Sequence, residues 1–220
     1  MGKKAEVALD DVEIYYELSG SGAPLVLVHE FSGSCRSWDR QVRAFSPSYS
    51  VLTFNCRGYP PSSVPTDPSQ YSQEHSVADL RRLLDHLRFE SAFIGGLSMG
   101  GGIALSFALA HPRRVRALIL AGTGAGSDDR AGFIQEHTRI AERLESEGAP
   151  PVFEDLHTRM PARVPLLRKH PQTWKEFAAD FATRSGVGLA LTLRGVQFKR
   201  PTVYALGEEL KRLTIPALIL

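Results

Sequence analysis

The sequence predicts an α/β protein: a mostly parallel, twisted sheet with helices on both faces and an inserted helical segment. Three observations carry this. Apolar runs of strand length alternate with helix-patterned stretches over the first half of the chain, and strands buried on both faces of a parallel sheet read as such runs. One run, Ser91-Ala92-Phe93-Ile94-Gly95, passes through Gly96-Leu97-Ser98-Met99-Gly100 into a small-residue helix ended by Pro112. From Ser127 to Arg200 the pattern turns to helices with no convincing strand. The expected division is a first core part over 1–126, a helical cap over 127–200 and a core continuation over 201–220.

In chain order, Val12 to Leu18 alternates apolar and polar, as a half-exposed strand does, and pairs with Lys4 to Leu9 across Asp10-Asp11. Pro24-Leu25-Val26-Leu27-Val28 is a continuous apolar run, the mark of a strand buried on both faces. His29 to Ser34 is a polar loop. Arg36 to Phe45 carries Trp38, Val42 and Phe45 at helical spacing. Val51 to Phe54 is another buried strand, followed by a Pro-rich loop to about Gln73. The next helix sets Val77, Leu80, Leu83, Leu84 and Leu87 on one face. Val115 to Gly122 is the strand after Pro112. In the inserted segment, Phe133, Ile134, His137, Ile140, Ala141 and Leu144 share a helix face, and Trp174, Phe177, Ala178 and Phe181 mark another. Pro201 to Leu213 reads as a further helix, and Ile215 to Leu220 as the start of a buried strand.

Bulk properties narrow the function classes. In 220 residues, 43% are hydrophobic and 23% charged, ordinary for a globular protein. A net charge of +2 without a basic stripe argues against nucleic acid. No apolar run is long enough to span a membrane and no signal peptide opens the chain, so the default expectation is a cytoplasmic protein. Cys35 and Cys56 make no disulfide framework and read as buried free thiols. No metal-ligand spacing occurs, so neither metal nor cofactor is expected, and the expected partner is a small-molecule substrate.

Gly96-Leu97-Ser98-Met99-Gly100 fits G-x-S-x-G, and between strand and helix it reads as a nucleophile elbow. The turn is so tight that side chains two residues either side of the serine would collide, hence Gly96 and Gly100. Ser98 Oγ then stands beside a helix N-terminus whose free N–H groups favour an oxyanion.

With Val28-His29, Arg57-Gly58, the elbow and Leu120-Ala121-Gly122-Thr123-Gly124 in this order, the chain resembles the α/β-hydrolase superfamily, in particular its small capped serine hydrolases. These include esterases, lactonases, C–C hydrolases and cofactor-free haloperoxidases. The resemblance implies acyl transfer with Ser98 as nucleophile and the N–H groups of Phe31 and Met99 as oxyanion donors. Phe133, Trp174, Phe177 and Phe181 are candidates to line a substrate pocket; packing against the core accounts for their spacing equally well. Relatives with aspartate at the elbow, the haloalkane dehalogenases and epoxide hydrolases, are set aside by the serine.

His29 and Arg57 are expected to order loops. His75, His86, His111, His137, His157 and His170 read as surface or cap residues. Relatives have glycine where this chain has Glu30, and the expectation is that Glu30 turns outward or pairs with Arg36 or Arg57. The acid and histidine implied by the resemblance fall beyond Leu220. The chain is therefore expected to be an incomplete copy of a longer hydrolase, inactive in this form. Asp128 and Asp129 are alternative acids, with helix capping the favoured role. The competing function is a catalytically silent scaffold that binds a small ligand or a partner protein.

Overall fold

The computed structural model describes residues 2–126, 129–158 and 164–220. It opens with an antiparallel hairpin, β1 (Lys3–Leu9) and β2 (Val12–Ser19), in which Leu9 pairs with Val12 across Asp10-Asp11. Asp10 takes a φ of 52° there, a left-handed conformation that a short polar side chain tolerates. β3 (Ala23–Val28) and β4 (Tyr49–Phe54) follow, with a 3-10 turn at Cys35–Trp38 and α1 (Asp39–Phe45) between them. Next come α2 (Gln73–His86), β5 (Ala92–Leu97), α3 (Met99–Ala110) and β6 (Val115–Ala121). The sheet closes on β7 (Ala217–Ile219).

Strand order is β1-β2-β4-β3-β5-β6-β7. β2 runs antiparallel to β4, and every later neighbour is parallel. The chain leaves β3 for β4 on one side and returns to β5 on the other. The reversal opens a crevice at the C-terminal ends of β3 and β5, where ligands of such sheets bind.

Side-chain alternation divides the apolar runs between two faces. Val26, Val28, Leu52, Phe54, Ile94 and Leu118 join α2 and α3 in the main core. Leu25, Leu27 and Val51 meet Trp38 on the opposite face. That face is thinner: α1 buries none of its residues, and Phe93, Leu97 and Ile119 are only partly covered.

Between β6 and β7 the described residues form helices only: α4 (Arg130–Glu147), α5 (Phe153–His157), α6 (Val164–Lys169), α7 (Pro171–Ala182) and α8 (Gly186–Thr192). A π-helical turn, Leu193–Gln197, extends α8. α9 (Gly207–Lys211) precedes β7. Asp129 caps α4 by accepting the Gly132 N–H at 2.9 Å, the capping role expected of the Asp pair. Asp128 lies outside the described residues.

Three expectations need correction. The Arg36 to Phe45 helix is a 3-10 turn followed by a short α-helix, and Phe45 is exposed. Ser34 and Ser37 form a capping box that holds the tighter turn. The Pro201 to Leu213 helix is two short pieces, because Thr202 Oγ1 draws the Ala205 N–H into a separate turn. β7 is exposed rather than buried: among the described residues it has β6 as its one neighbour, and no layer covers Leu218 or Ile219.

The loop after β4 is braced as expected. Arg57 donates from Nε and Nη2 to the two oxygens of Asp79 on α2, both at 2.7 Å, and from Nη1 to the Gln70 carbonyl at 2.9 Å. Both partners of the ion pair are 3% exposed. Removing one partner of such a pair strands a buried charge. Asp79→Ala is therefore expected to destabilise the fold by about 3 kcal/mol, the lower end of the usual range because half-exposed Asp11 still reaches Arg57. Urea midpoints of the two proteins measure it; an unchanged midpoint contradicts the bracing role.

Candidate active site

The crevice at the switch point is built by backbone contact. A Cβ on Gly96 would fall on the Gly100 carbonyl, and a Cβ on Gly100 would fall on the Val28 carbonyl. Only glycine at both positions lets the first turn of α3 lie against the end of β3. Ser98, between them, is held at φ 51°, ψ −109°, a region that costs a non-glycine residue on the order of 1–3 kcal/mol. Its N–H donates to the Ala121 carbonyl at 2.9 Å, so β6 helps to hold the strained turn. Its side chain does not cap α3. The residue is exposed, and among the described residues no side-chain hydrogen bond caps the first turn of α3.

Across the crevice, the Gly33 N–H donates to the Glu30 carbonyl at 3.0 Å, closing a tight turn with Phe31 and Ser32 at its centre. The N–H at the first central position of such a turn takes no part in the closing bond, which leaves that of Phe31 outside it. Tyr59 joins the two sides. Its phenol donates to the Phe31 carbonyl at 2.9 Å and lies 3.8 Å from Met99 Sδ. Burial keeps this phenol protonated by pushing it well above the usual tyrosine range.

His29 orders the same loop, as expected. The Cys56 N–H donates to His29 Nε2 at 3.1 Å, which assigns the proton to Nδ1, 2.7 Å from the Glu30 carbonyl. Its ring meets Tyr59 edge-on at 4.6 Å. Burial lowers its pKa to about 4, so it is neutral at pH 7. Cys35 and Cys56 are free and buried; burial raises the Cys35 thiol to about 12, which leaves it unreactive.

Glu30 does not turn outward. It is buried, its carboxyl occupying the space a Cβ on Gly33 would need. Arg57 is engaged by Asp79, and Arg36 is exposed. The arginine beside this loop is Arg184, at the end of α7. It donates from Nε to the Gly33 carbonyl at 3.0 Å and pairs through Nη2 with Asp180, which also accepts from Ser34 Oγ at 3.1 Å. The helical segment is thus fastened to the loop that carries Phe31. Tyr59, Asp180 and Arg184 were missed in the sequence. Arg57-Gly58-Tyr59 was a signal for the first; the other two had none, because their partners lie about 150 residues away.

Trp174, Phe177 and Phe181 gather around Phe153, with ring centroids 5.1, 5.3 and 5.5 Å from it, and His157 completes the cluster. Trp174 and Phe181 are buried in it. Phe133 stands apart, against His137 and Phe198. The structure therefore brings three of the four aromatic candidates into one packed cluster. Among the described residues, no histidine hydrogen-bonds Ser98, and no group of three or more His, Cys, Asp or Glu gathers as metal ligands would.

A strained serine between two glycines, at a helix N-terminus on the switch point of this sheet, defines an α/β-hydrolase-type site. The chain belongs to that family: residues 23–193 match the family described as the alpha/beta hydrolase fold. It is 26% identical to 3-oxoadipate enol-lactonase 2 of Acinetobacter baylyi over 219 residues, covering 99% of this chain and 78% of that enzyme. It is 32% identical to a 2-hydroxy-6-oxononadienedioate/2-hydroxy-6-oxononatrienedioate hydrolase of Paraburkholderia xenovorans over 156 residues, 68% of this chain and 53% of that one. A thermophilic esterase from Thermogutta terrifontis, solved with malate bound, superposes with a TM-score of 0.83 at 27% identity, covering all of this chain and 79% of the esterase. The chain thus spans about half the length of some curated relatives and about four fifths of others. No helix among the described residues is long and apolar enough to cross a membrane.

The His29 environment predicts a pH dependence. Its folded pKa of about 4 lies below the unfolded value near 6.5, so between these values the unfolded chain binds more protons. Stability is then expected to fall as pH drops from 6.5 toward 4, by up to about 1.4 kcal/mol per pH unit. His111, lowered by burial and by Arg81 and Arg114, adds to the slope. The comparison is therefore with His29→Asn, whose urea midpoints should change less over pH 5–6.5. Equal slopes would remove His29 as the cause.

Proposed function

We propose that this protein is a serine hydrolase that acts on a small ester or lactone by nucleophilic acyl transfer. A histidine base takes the Ser98 proton as Oγ attacks the carbonyl carbon, and the N–H groups of Phe31 and Met99 receive the oxyanion. The base gives that proton to the ester oxygen as it leaves, takes another from the water that attacks the acyl-enzyme, and returns it to Ser98 as the acid is freed. The observation that carries the reading is Ser98 itself: a positive-φ residue, exposed in the crevice, at the start of an uncapped helix. The Phe31 turn facing α3, with Tyr59 touching both, supports the oxyanion role. The activities of the relatives, an enol-lactonase and an esterase among them, support the substrate class. The helices between β6 and β7 serve in this reading as a cap, since Arg184 fastens them to the loop beside the crevice.

A second reading is a silent scaffold that binds a small ligand or a partner protein. It is favoured by one observation: among the described residues no histidine hydrogen-bonds Ser98, His29 being engaged by Glu30 and Cys56 and His157 packed among aromatic rings. A serine without a base is a poor nucleophile. A fluorophosphonate probe separates the two readings, because it labels an activated serine. Labelling that is lost in Ser98→Ala, with the circular dichroism spectrum preserved, is the outcome expected of the hydrolase; an unlabelled, folded wild-type protein supports the scaffold. Tyr59→Phe, which frees the Phe31 carbonyl, is expected to slow labelling or ester turnover about tenfold, the equivalent of one buried hydrogen bond. An unchanged rate would show that Tyr59 does not hold the oxyanion loop.

A further inference from the structure

The turn with Phe31 at its first central position is held at three carbonyls. His29 Nδ1 bonds that of Glu30 at 2.7 Å, and the Tyr59 phenol donates to that of Phe31 at 2.9 Å. His29 and Tyr59 belong to the core and hold the entrance of the turn. The third carbonyl, that of Gly33, accepts from Arg184 Nε at 3.0 Å. One residue further on, Ser34 Oγ donates to Asp180 at 3.1 Å. At Gly33 and Ser34 the turn is thus tied to the inserted helices. Gly33 is the joint where such a tie matters most. Glycine has the softest backbone of any residue, and it is required here because a Cβ would fall on the Glu30 carboxyl. The Gly33 N–H also closes the turn onto the Glu30 carbonyl, so rotation at Gly33 strains the closing bond.

Arg184 makes a stiff tie. Its side chain is buried and each guanidinium nitrogen has an acceptor: Nε the Gly33 carbonyl, Nη1 Thr183 Oγ1 at 3.0 Å, and Nη2 Asp180. A planar fork held at all three nitrogens keeps little freedom. Asp180 joins Arg184 to Ser34, so the two side chains and the loop close a ring of hydrogen bonds. The next helix adds a second contact, since a Cβ on Gly188 of α8 would fall on the carbonyl of Gly58, the neighbour of Tyr59. We propose that Arg184 is a positioning residue for the oxyanion donor: seating the end of α7 on Gly33 and Ser34 fixes the turn that aims the Phe31 N–H. This rests on the reading of Ser98 as an acyl-transfer nucleophile. Docking of the helical segment and stabilisation of the transition state are then coupled, because an undocked α7 leaves Gly33 free to turn. The coupling acts on turnover rather than on substrate affinity, since the oxyanion forms only as Ser98 attacks.

Two substitutions test it. Arg184→Lys keeps a charge beside Asp180 but loses the fork, and Arg184→Met removes both while keeping an apolar stem. With p-nitrophenyl acetate as substrate, Arg184→Met should lower kcat about tenfold, the effect of one buried hydrogen bond, with KM nearly unchanged. The loss should stay below the roughly hundredfold or more that follows removal of an oxyanion donor itself. Arg184→Lys should fall between this variant and wild type. Arg194→Gln, which breaks a half-exposed ion pair with Glu145 elsewhere in the helical segment, should match wild type. Residue-resolved amide exchange, read on the same proteins without substrate, should be several-fold faster at Gly33 in both Arg184 variants and unchanged in the sheet core. If Arg184→Met does not fold, Arg184→Lys decides alone. Wild-type kcat or wild-type Gly33 exchange in Arg184→Lys overturns the proposal, and so does faster exchange spread evenly over the sheet, the mark of a merely structural arginine. A wild-type protein that neither hydrolyses the ester nor takes the fluorophosphonate label fails the hydrolase reading instead; Gly33 exchange then still decides whether Arg184 holds the turn.

Discussion

The contact of α3 with the end of β3 sets the geometry of everything around it. Two backbones meet there with no side chain between them, because Gly100 lies on the Val28 carbonyl and Gly96 on that of Gly100. Backbone-on-backbone contact has no rotamer to adjust, so it fixes the separation between the helix start and the loop after β3 more tightly than side chains would. The strained Ser98 conformation persists because this contact and the Ala121 hydrogen bond determine it from both sides. Tyr59 and His29 then act as struts around a spacing already set.

Much of this was legible in the sequence because it is local. The elbow is a pentapeptide with its strand and helix attached, and the hairpin register follows from alternation across Asp10-Asp11. The buried parallel strands announce themselves as apolar runs. Arg57 was read as a brace, though not that its partner is Asp79. Where the reading failed, the deciding neighbour was remote or covering layers were thin. The 36–45 stretch has helical spacing, but its sheet face offers α1 little to pack on, and Ser34 and Ser37 impose a tighter turn. β7 has the composition of a buried strand, yet composition reports what a segment can bury, not what lies over it.

Glu30 shows the same limit within the site. A carboxylate beside a prospective oxyanion suggested a side chain turned outward or paired with an arginine such as Arg36 or Arg57. The structure buries it over Gly33, in a loop whose carbonyl is held by Arg184. No pattern in residues 29–34 encodes that arginine. The aromatic residues of α7 illustrate a different ambiguity: amphipathic spacing is compatible with a pocket wall and with a packed cluster, and only their ring distances to Phe153 separate the two.

The hydrogen bond from Arg184 to Gly33 spans 151 residues of sequence. Loop-closure entropy grows slowly with such a separation, so the bond costs little more to close than nearer contacts do. During synthesis, however, it cannot form before the chain has emerged past α7, by which time the elbow and its flanking strands have already been made.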